Sequence, residues 1–452
     1  MAARSILACL IALAFAGMIK TSVEASGETP PPSFFYTAAP SYEPLAWMRG
    51  AERFPSGSMI FIGDSQGRRK LIPAFAASAD PAISFDGQRV LFSGKRGAHD
   101  PWQIWEVALD RGEPRQITAG AGDYVRPLYL PDDRIAYARK TTGQFVIEVM
   151  DLAGGKPLAL TYGPANFLPA DVLHDGRILF EAGYPLGSES LPELYTVYSD
   201  GSGVESYRCD HGRPHHGGKQ LASGDVVFTS ARGLARFTSA RASAVVISPP
   251  TGEYVGDVAE LSSGEWLLPW RRDRKTPFQL VLWDPGAATL HKLVAEPEEN
   301  LVQPVALRAR TTPNRHPSGL HDWPNANVLC LNAYTSKYEF APGSIRSVRV
   351  YARGTTGQPS LLGTAPVESD GSFFLHVPAE RALQIELVDA SGKTLKREAG
   401  FFWMRRGEQR ECVGCHAGPE RSPENAVPMI LLKSTTPADM TTGIAQNAAG
   451  GH

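Results

Sequence analysis

Along most of the chain apolar and polar residues alternate with a period of two, and few stretches repeat with the 3.6-residue period of a helix. This pattern predicts half-buried strands joined by hairpins. One unit recurs, a tight turn followed by an apolar strand: Asp86-Gly87-Gln88-Arg89-Val90-Leu91-Phe92, Asp132-Asp133-Arg134-Ile135-Ala136-Tyr137, Asp175-Gly176-Arg177-Ile178-Leu179-Phe180, Ser223-Gly224-Asp225-Val226-Val227-Phe228 and Ser263-Gly264-Glu265-Trp266-Leu267-Leu268. Taken at positions 87, 133, 176, 224 and 264, the spacings are 46, 43, 48 and 40 residues, the period of four-stranded propeller blades. Further strand pairs follow several turns, as in Gln103–Val107 with Arg115–Thr118 and Gln279–Trp283 with Thr289–Leu293. Strands at Met59–Ile62 and Lys70–Pro73 precede the first unit and Leu301–Leu307 follows the last. The simplest closure joins these ends into a sixth blade, leaving no open sheet edge.

Beyond the repeat the pattern changes to short strands separated by turns at Ser369-Asp370-Gly371 and Ala390-Ser391-Gly392. About eighty residues of this kind predict a small β-sandwich. The expected fold class is therefore mainly β, a six-bladed β-propeller followed by a small β-sandwich-like domain and a c-type haem-binding segment. The expected boundaries are a signal peptide at 1–25, an extended N-terminal segment at 26–50, the propeller at 51–307, the sandwich at 308–403, the haem-binding segment at 404–433 and a flexible tail at 434–452. Asn314-Arg315-His316-Pro317, with His321 and Trp323, reads as interdomain linker.

Composition adds bounds. Met1 to Ala25 carries Arg4, the apolar run Ile6–Met18 and the small-residue site Val23-Glu24-Ala25, the order of a cleaved export signal. Thirteen apolar residues are too few to span a bilayer, so no transmembrane segment is expected in the mature chain. A net charge of −2 gives no reason to expect nucleic acid.

Chemistry concentrates near the end, in Cys412-Val413-Gly414-Cys415-His416. A C-x-x-C-H sequence lets two thiols add across the vinyl groups of haem while the adjacent imidazole ligates iron, so Cys412, Cys415 and His416 predict covalent haem c. On one helical turn the two cysteines would share a side and the histidine would fall beneath the iron. A structural zinc site would want a second ligand pair at similar spacing, and no second C-x-x-C occurs. A second cluster, Cys209-Asp210-His211-Gly212-Arg213-Pro214-His215-His216, exceeds what a turn requires. Cys209, His211, His215 and His216 are candidate ligands for haem iron or a second metal ion, against the reading of a polar loop. Met429, Met440, Met404 and the same histidines are the candidates for a sixth iron ligand. Cys209 and Cys330 are open to pairing, to burial as thiols or to metal binding. Gly63-Asp64-Ser65-Gln66-Gly67 matches a nucleophile elbow, but a return strand rather than a helix follows it, so it reads as a hairpin turn.

Asp80-Pro81-Ala82-Ile83-Ser84-Phe85-Asp86-Gly87 followed by Trp102-Gln103-Ile104-Trp105 resembles the TolB-like class of propeller repeat. Ala365–Phe373, Leu383–Asp389 and Gly407–His416 together resemble the middle domain of the hydrazine synthase alpha subunit and its relatives, which share the order of propeller, β-rich domain and C-x-x-C-H. The resemblance implies covalent haem. In that family a tyrosine shortly after the motif ligates the catalytic iron and a second haem domain follows. Here Ala417-Gly418-Pro419-Glu420-Arg421 contains no tyrosine and no second C-x-x-C-H exists, so hydrazine synthesis is not implied.

Three functions remain in view. The leading expectation is an exported mono-haem redox protein that passes electrons to or from a periplasmic partner protein. The alternatives are a haem oxidoreductase acting on a small nitrogen or oxygen compound, and a propeller-based binding module with a structural or sensing haem.

Overall fold

The repeated turns bend as their glycines permit. Gly87, Gly176, Gly224 and Gly264 have φ between 75° and 91°. Each donates its N–H to the carbonyl three residues earlier, at 2.8–3.0 Å. This left-handed region costs glycine little. The unit without glycine uses Asp132 and Asp133, with φ 64° and 51°, the mirror-image turn that matches strand twist. The structure, a computed structural model, describes residues 33–64, 67–110, 112–183, 191–207, 214–238, 244–247, 251–354, 358–414 and 425–442. The expected signal peptide lies outside them.

Among the described residues these turns organise six blades around one axis. Five run outward in chain order, from the inner strands Ala77–Ile83, Tyr124–Leu130, Asn166–Val172, His215–Gln220 and the split pair Glu253–Tyr254 with Ala259–Glu260. The remaining blade is the closure, in the order Asn300–Ala306, Phe34–Ala39, Met59–Asp64, Gly67–Lys70. Phe34–Ala39 falls in the stretch expected to be only an extended N-terminal segment. Its six residues are all buried, and it pairs antiparallel to strands on both sides. The clasp therefore forms one strand earlier than the periodicity shows. Phe34-Phe35-Tyr36 lies ahead of the first recognisable turn and carries no repeat signal of its own. Asp64 pairs with Gly67, so the elbow-like sequence is a hairpin.

Between Phe34–Ala39 and Met59–Asp64 the chain crosses the axis. Trp47 and Met48, on the short 3-10 helix Ala46–Arg49, pack with Tyr42 and Phe54 against Val125, Leu168, Val255, Phe278 and Val302 of the surrounding blades. This segment closes one mouth of the propeller.

The second domain stacks two four-stranded sheets. One runs Ser360–Pro366, Ser347–Arg353, Ala382–Val388, Thr394–Arg397; the other runs Gln409–Cys412, Asn325–Cys330, Phe373–Pro378, Ala438–Asp439. Strict alternation of burial along Asn325–Cys330 and Ser347–Arg353 puts Val328, Cys330, Val348 and Val350 inside. Both edge strands of the second sheet pair in parallel and come from beyond residue 403. Part of the expected tail is thus structural: Ala438–Asp439 joins the sheet, and Met440 is 1% exposed within the interior. The short polar segment hid this role, because its single apolar anchor makes no periodic pattern.

The domains are locked by Trp403. Its ring enters the interior between the blades whose inner strands are Tyr124–Leu130 and Asn166–Val172, against Phe167 and Phe180, and its indole N–H donates to the Leu160 carbonyl at 2.8 Å. The linker runs across the propeller, where His316 stacks on Tyr198 at 3.6 Å and Arg315 pairs with Asp132.

Candidate functional site

Cys412 ends the strand Gln409–Cys412, held in parallel register with Cys330. Its side chain is half-buried against the sandwich interior and not on a helical turn. Burial pushes its thiol above the usual range, so it is protonated at neutral pH. The motif then passes extremely close to the loop after Cys330. A Cβ on Gly414 would lie 2.0 Å from the Thr335 carbonyl oxygen, so only glycine fits at this position.

That loop carries the geometry onward. Ala333 donates to the Gly371 carbonyl at 2.9 Å, and Gly371, with φ 87°, packs against Asn332. The adjoining turn holds the short helix Met429–Lys433. Asp370 accepts from the Met429 N–H at 2.7 Å, Ser372 accepts from the Ile430 N–H at 3.0 Å, and Ser369 Oγ meets Met429 Sδ at 3.2 Å. Cys412 and Met429 are therefore fixed at the same end of the sandwich. Val413, Val427 and Leu432 there are 39%, 63% and 71% exposed.

The remaining motif residues, Cys415 and His416, lie outside the described residues, as do Cys209 and His211. Met404 and Met440 are sealed in the sandwich interior. Cys330 lies within the same interior, its strand position directly opposite Cys412. His215 is buried edge-on against Phe228 and Phe237. Its neighbour His216 sits on the propeller axis near Glu181 and Asp257, and burial lowers its pKa, leaving it neutral. Among the described residues no group of three or more histidine, cysteine, aspartate or glutamate side chains is arranged to hold a metal.

The axis itself is the concentration of charge that motif reading missed. Inner strands break register where a bulge intervenes, at Asp80 (φ 57°), Arg126 (φ 53°), Gly217 (φ 65°) and Gln303 (φ 55°). Three of these amides are received by the preceding blade. The Asp80 N–H donates to Gln303 Oε1 at 2.9 Å, that of Arg126 to Asp80 Oδ2 at 3.1 Å, and that of Gly217 to Glu181 Oε1 at 3.2 Å. Arg53 pairs with Asp80 at 2.9 Å and Arg126 with Glu181 at 2.5 Å. Burial favours neutral acids at Asp80 and Glu181, but Arg126, joined at Asp80 by Arg53, outweighs it and holds both below the usual carboxylate range. The signal was present in the repeat: Asp80, Arg126, Gly217 and Asp257 each stand seven residues before the turn positions 87, 133, 224 and 264.

A closed six-bladed propeller joined to a β-sandwich whose edge strand runs into C-x-x-C-H defines the class. Residues 342–417, which include the motif, match the family described as hydrazine synthase alpha subunit middle domain. The chain resembles that subunit over this stretch. It shares its fold with the Kuenenia stuttgartiensis hydrazine synthase at TM-score 0.75 and 16% identity, over 89% of this chain and 71% of that one. TolB from Acinetobacter baumannii covers 63% of this chain at 14% identity and TM-score 0.47, with 67% of its own length matched. Comparison with curated proteins finds no match. No helix among the described residues is long and apolar enough to cross a membrane.

Proposed function

We propose that the chain is an exported c-type haem protein that transfers electrons, with Cys412 and Cys415 as thioether anchors and His416 as an iron ligand. The observation that carries this reading is the location of the motif. Cys412 and Gly414 hold it at an exposed end of the sandwich, within the stretch related to the alpha subunit middle domain. The residues suit the group: a thiol at the strand end, a glycine that lets the backbone turn tightly, and the exposed apolar side chains Val413, Val427 and Leu432 to pack on a flat apolar ring. Haem held there supplies a one-electron couple.

The chain's own residues divide the remaining work. The Cys412 thiol is half-buried at the end of the edge strand Gln409–Cys412, which pairs on one side only, with Asn325–Cys330, and from there it would hold one side of the group. With Met404 and Met440 committed to the interior, Met429, held by Ser369 and Asp370, is the methionine that would serve as a second iron ligand, beside the histidines of the 211–216 stretch. A periplasmic redox protein is the partner this role requires, and the N-terminal sequence supports export. Carbon monoxide tests the assignment. The reduced protein keeps its Soret band on mixing, and Met429→Ala acquires a shift. A rapid, complete shift in the unsubstituted protein would favour a haem oxidoreductase or gas sensor instead.

A further inference from the structure

The sandwich brings together two cysteines that the motif alone does not connect. Four cysteines follow residue 25, and sequence leaves their pairing open. The sheet narrows the choice. Cys330 and Cys412, 82 residues apart, are direct partners in the parallel ladder between Asn325–Cys330 and Gln409–Cys412. The ladder is pinned at both ends, where the Asn327 N–H donates to the Glu408 carbonyl at 3.0 Å and the Leu331 N–H to the Cys412 carbonyl at 2.9 Å. Residues paired in this way point to one face of their sheet, and here that face is the sandwich interior. Cys330 is 2% exposed, and Cys412 packs against the same apolar cluster. Adjacent strands lie about 4.8 Å apart, inside the Cα separation of about 4.4–6.8 Å that a disulfide spans. The two sulfurs are not joined in the structure.

Cys412 is the member that can adjust. A disulfide needs its Cβ atoms about 3.5–4.5 Å apart, closer than strand spacing alone provides, so one side must move slightly. Cys330 is held between two strands, paired to Phe373 as well as to Cys412. Cys412 is the last residue of an edge strand that pairs on one side only. It is also the half-buried member, which an oxidant can reach.

We infer that in an oxidising compartment the haem-free chain closes a disulfide between Cys330 and Cys412, which withholds Cys412 from thioether formation until the bond is reduced. The second half rests on the export and haem reading above; the bond itself needs no haem. The oxidant is a disulfide, either a small molecule or a carrier protein. Cys412, as its thiolate, attacks one sulfur of that disulfide and expels the other as a thiol. Cys330 then gives up its proton, attacks the Cys412 sulfur and expels the second thiol. The two protein thiols lose two electrons and two protons, which reduce the oxidant's disulfide to two thiols.

The full chain, made without a haem maturation system and incubated with glutathione disulfide, tests the bond. Differential alkylation and peptide mapping find Cys330 joined to Cys412, and Cys330→Ala and Cys330→Ser lack the bridge. A bridge from either residue to Cys209 or Cys415, or none at either, would overturn the inference. Coexpression with the maturation system then tests the consequence. Without added thiol reductant Cys330→Ala carries at least about twofold more covalent haem per chain than the unsubstituted protein, and reductant removes the difference. Equal loading without reductant would overturn the withholding of Cys412. No haem on either protein, with the Cys330–Cys412 bridge mapped, would overturn the haem reading and leave the bridge standing.

Discussion

The propeller and the sandwich differ in where they gather buried charge. The propeller buries it: Arg53, Asp80, Glu181 and Asp257 are each less than a tenth exposed, and they meet at the axis where six blades converge. The sandwich keeps an apolar interior and sets its buried carboxylate, Glu386, on an outer sheet face, where Tyr351, Thr394 and Arg397 cover it. Buried charges that satisfy one another fix a geometry and leave little free for chemistry. The sandwich carries the Cys412 thiol at the end of an edge strand, where burial keeps it protonated. The contrast explains how a scaffold rich in ionisable groups can serve a site that contains few.

Breaking the contrast at the axis has the largest effect. Arg126→Met leaves Glu181 and Asp257 without their shared cation, and denaturant unfolding registers a loss of about 3–5 kcal/mol. A loss below about 1 kcal/mol would mean the axial acids have other compensation.

Next comes the joint between the two regions. Trp403→Ala empties a buried ring site and frees the Leu160 carbonyl, costing about 3 kcal/mol. The single transition of the intact chain then separates into two, with the sandwich melting first. A single transition at unchanged temperature would show that Trp403 does not couple the domains.

The smallest effect sharpens the outer-face arrangement. Burial opposes ionisation of Glu386, but its bonds from Thr394, Arg397 and Tyr351 prevail and hold it at about 2. A carboxyl depressed on folding stabilises above its unfolded pKa and loses that contribution as pH falls toward the folded value. The sandwich therefore weakens between about pH 4.5 and 2, and Glu386→Gln flattens that part of the profile.

The repeat spacing made the blades legible because a four-stranded blade imposes a period and its turn a Gly or Asp. Phe34–Ala39 and Ala438–Asp439 were not legible, since each joins its sheet through partners distant in sequence and carries no repeat of its own. At the site, C-x-x-C-H was legible from local spacing alone. The role of Gly414 was not, because it depends on Thr335, 79 residues earlier. Of the histidine-rich stretch, His215 packs within its blade and His216 lies near the axial acids, while Cys209 and His211 lie outside the described residues. Charge recurs at one repeated position, Asp80, Arg126 and Asp257, seven residues before the turn, and that position leads to the axis.

The central claim is covalent haem at Cys412 and Cys415, and the most direct measurement is the pyridine haemochrome spectrum of protein made alongside a cytochrome c maturation system. After acid–acetone extraction the protein retains one haem per chain with an α-band typical of saturated vinyl groups, and Cys412→Ala with Cys415→Ala retains none. Loss of all haem from the unsubstituted protein on extraction would contradict the account.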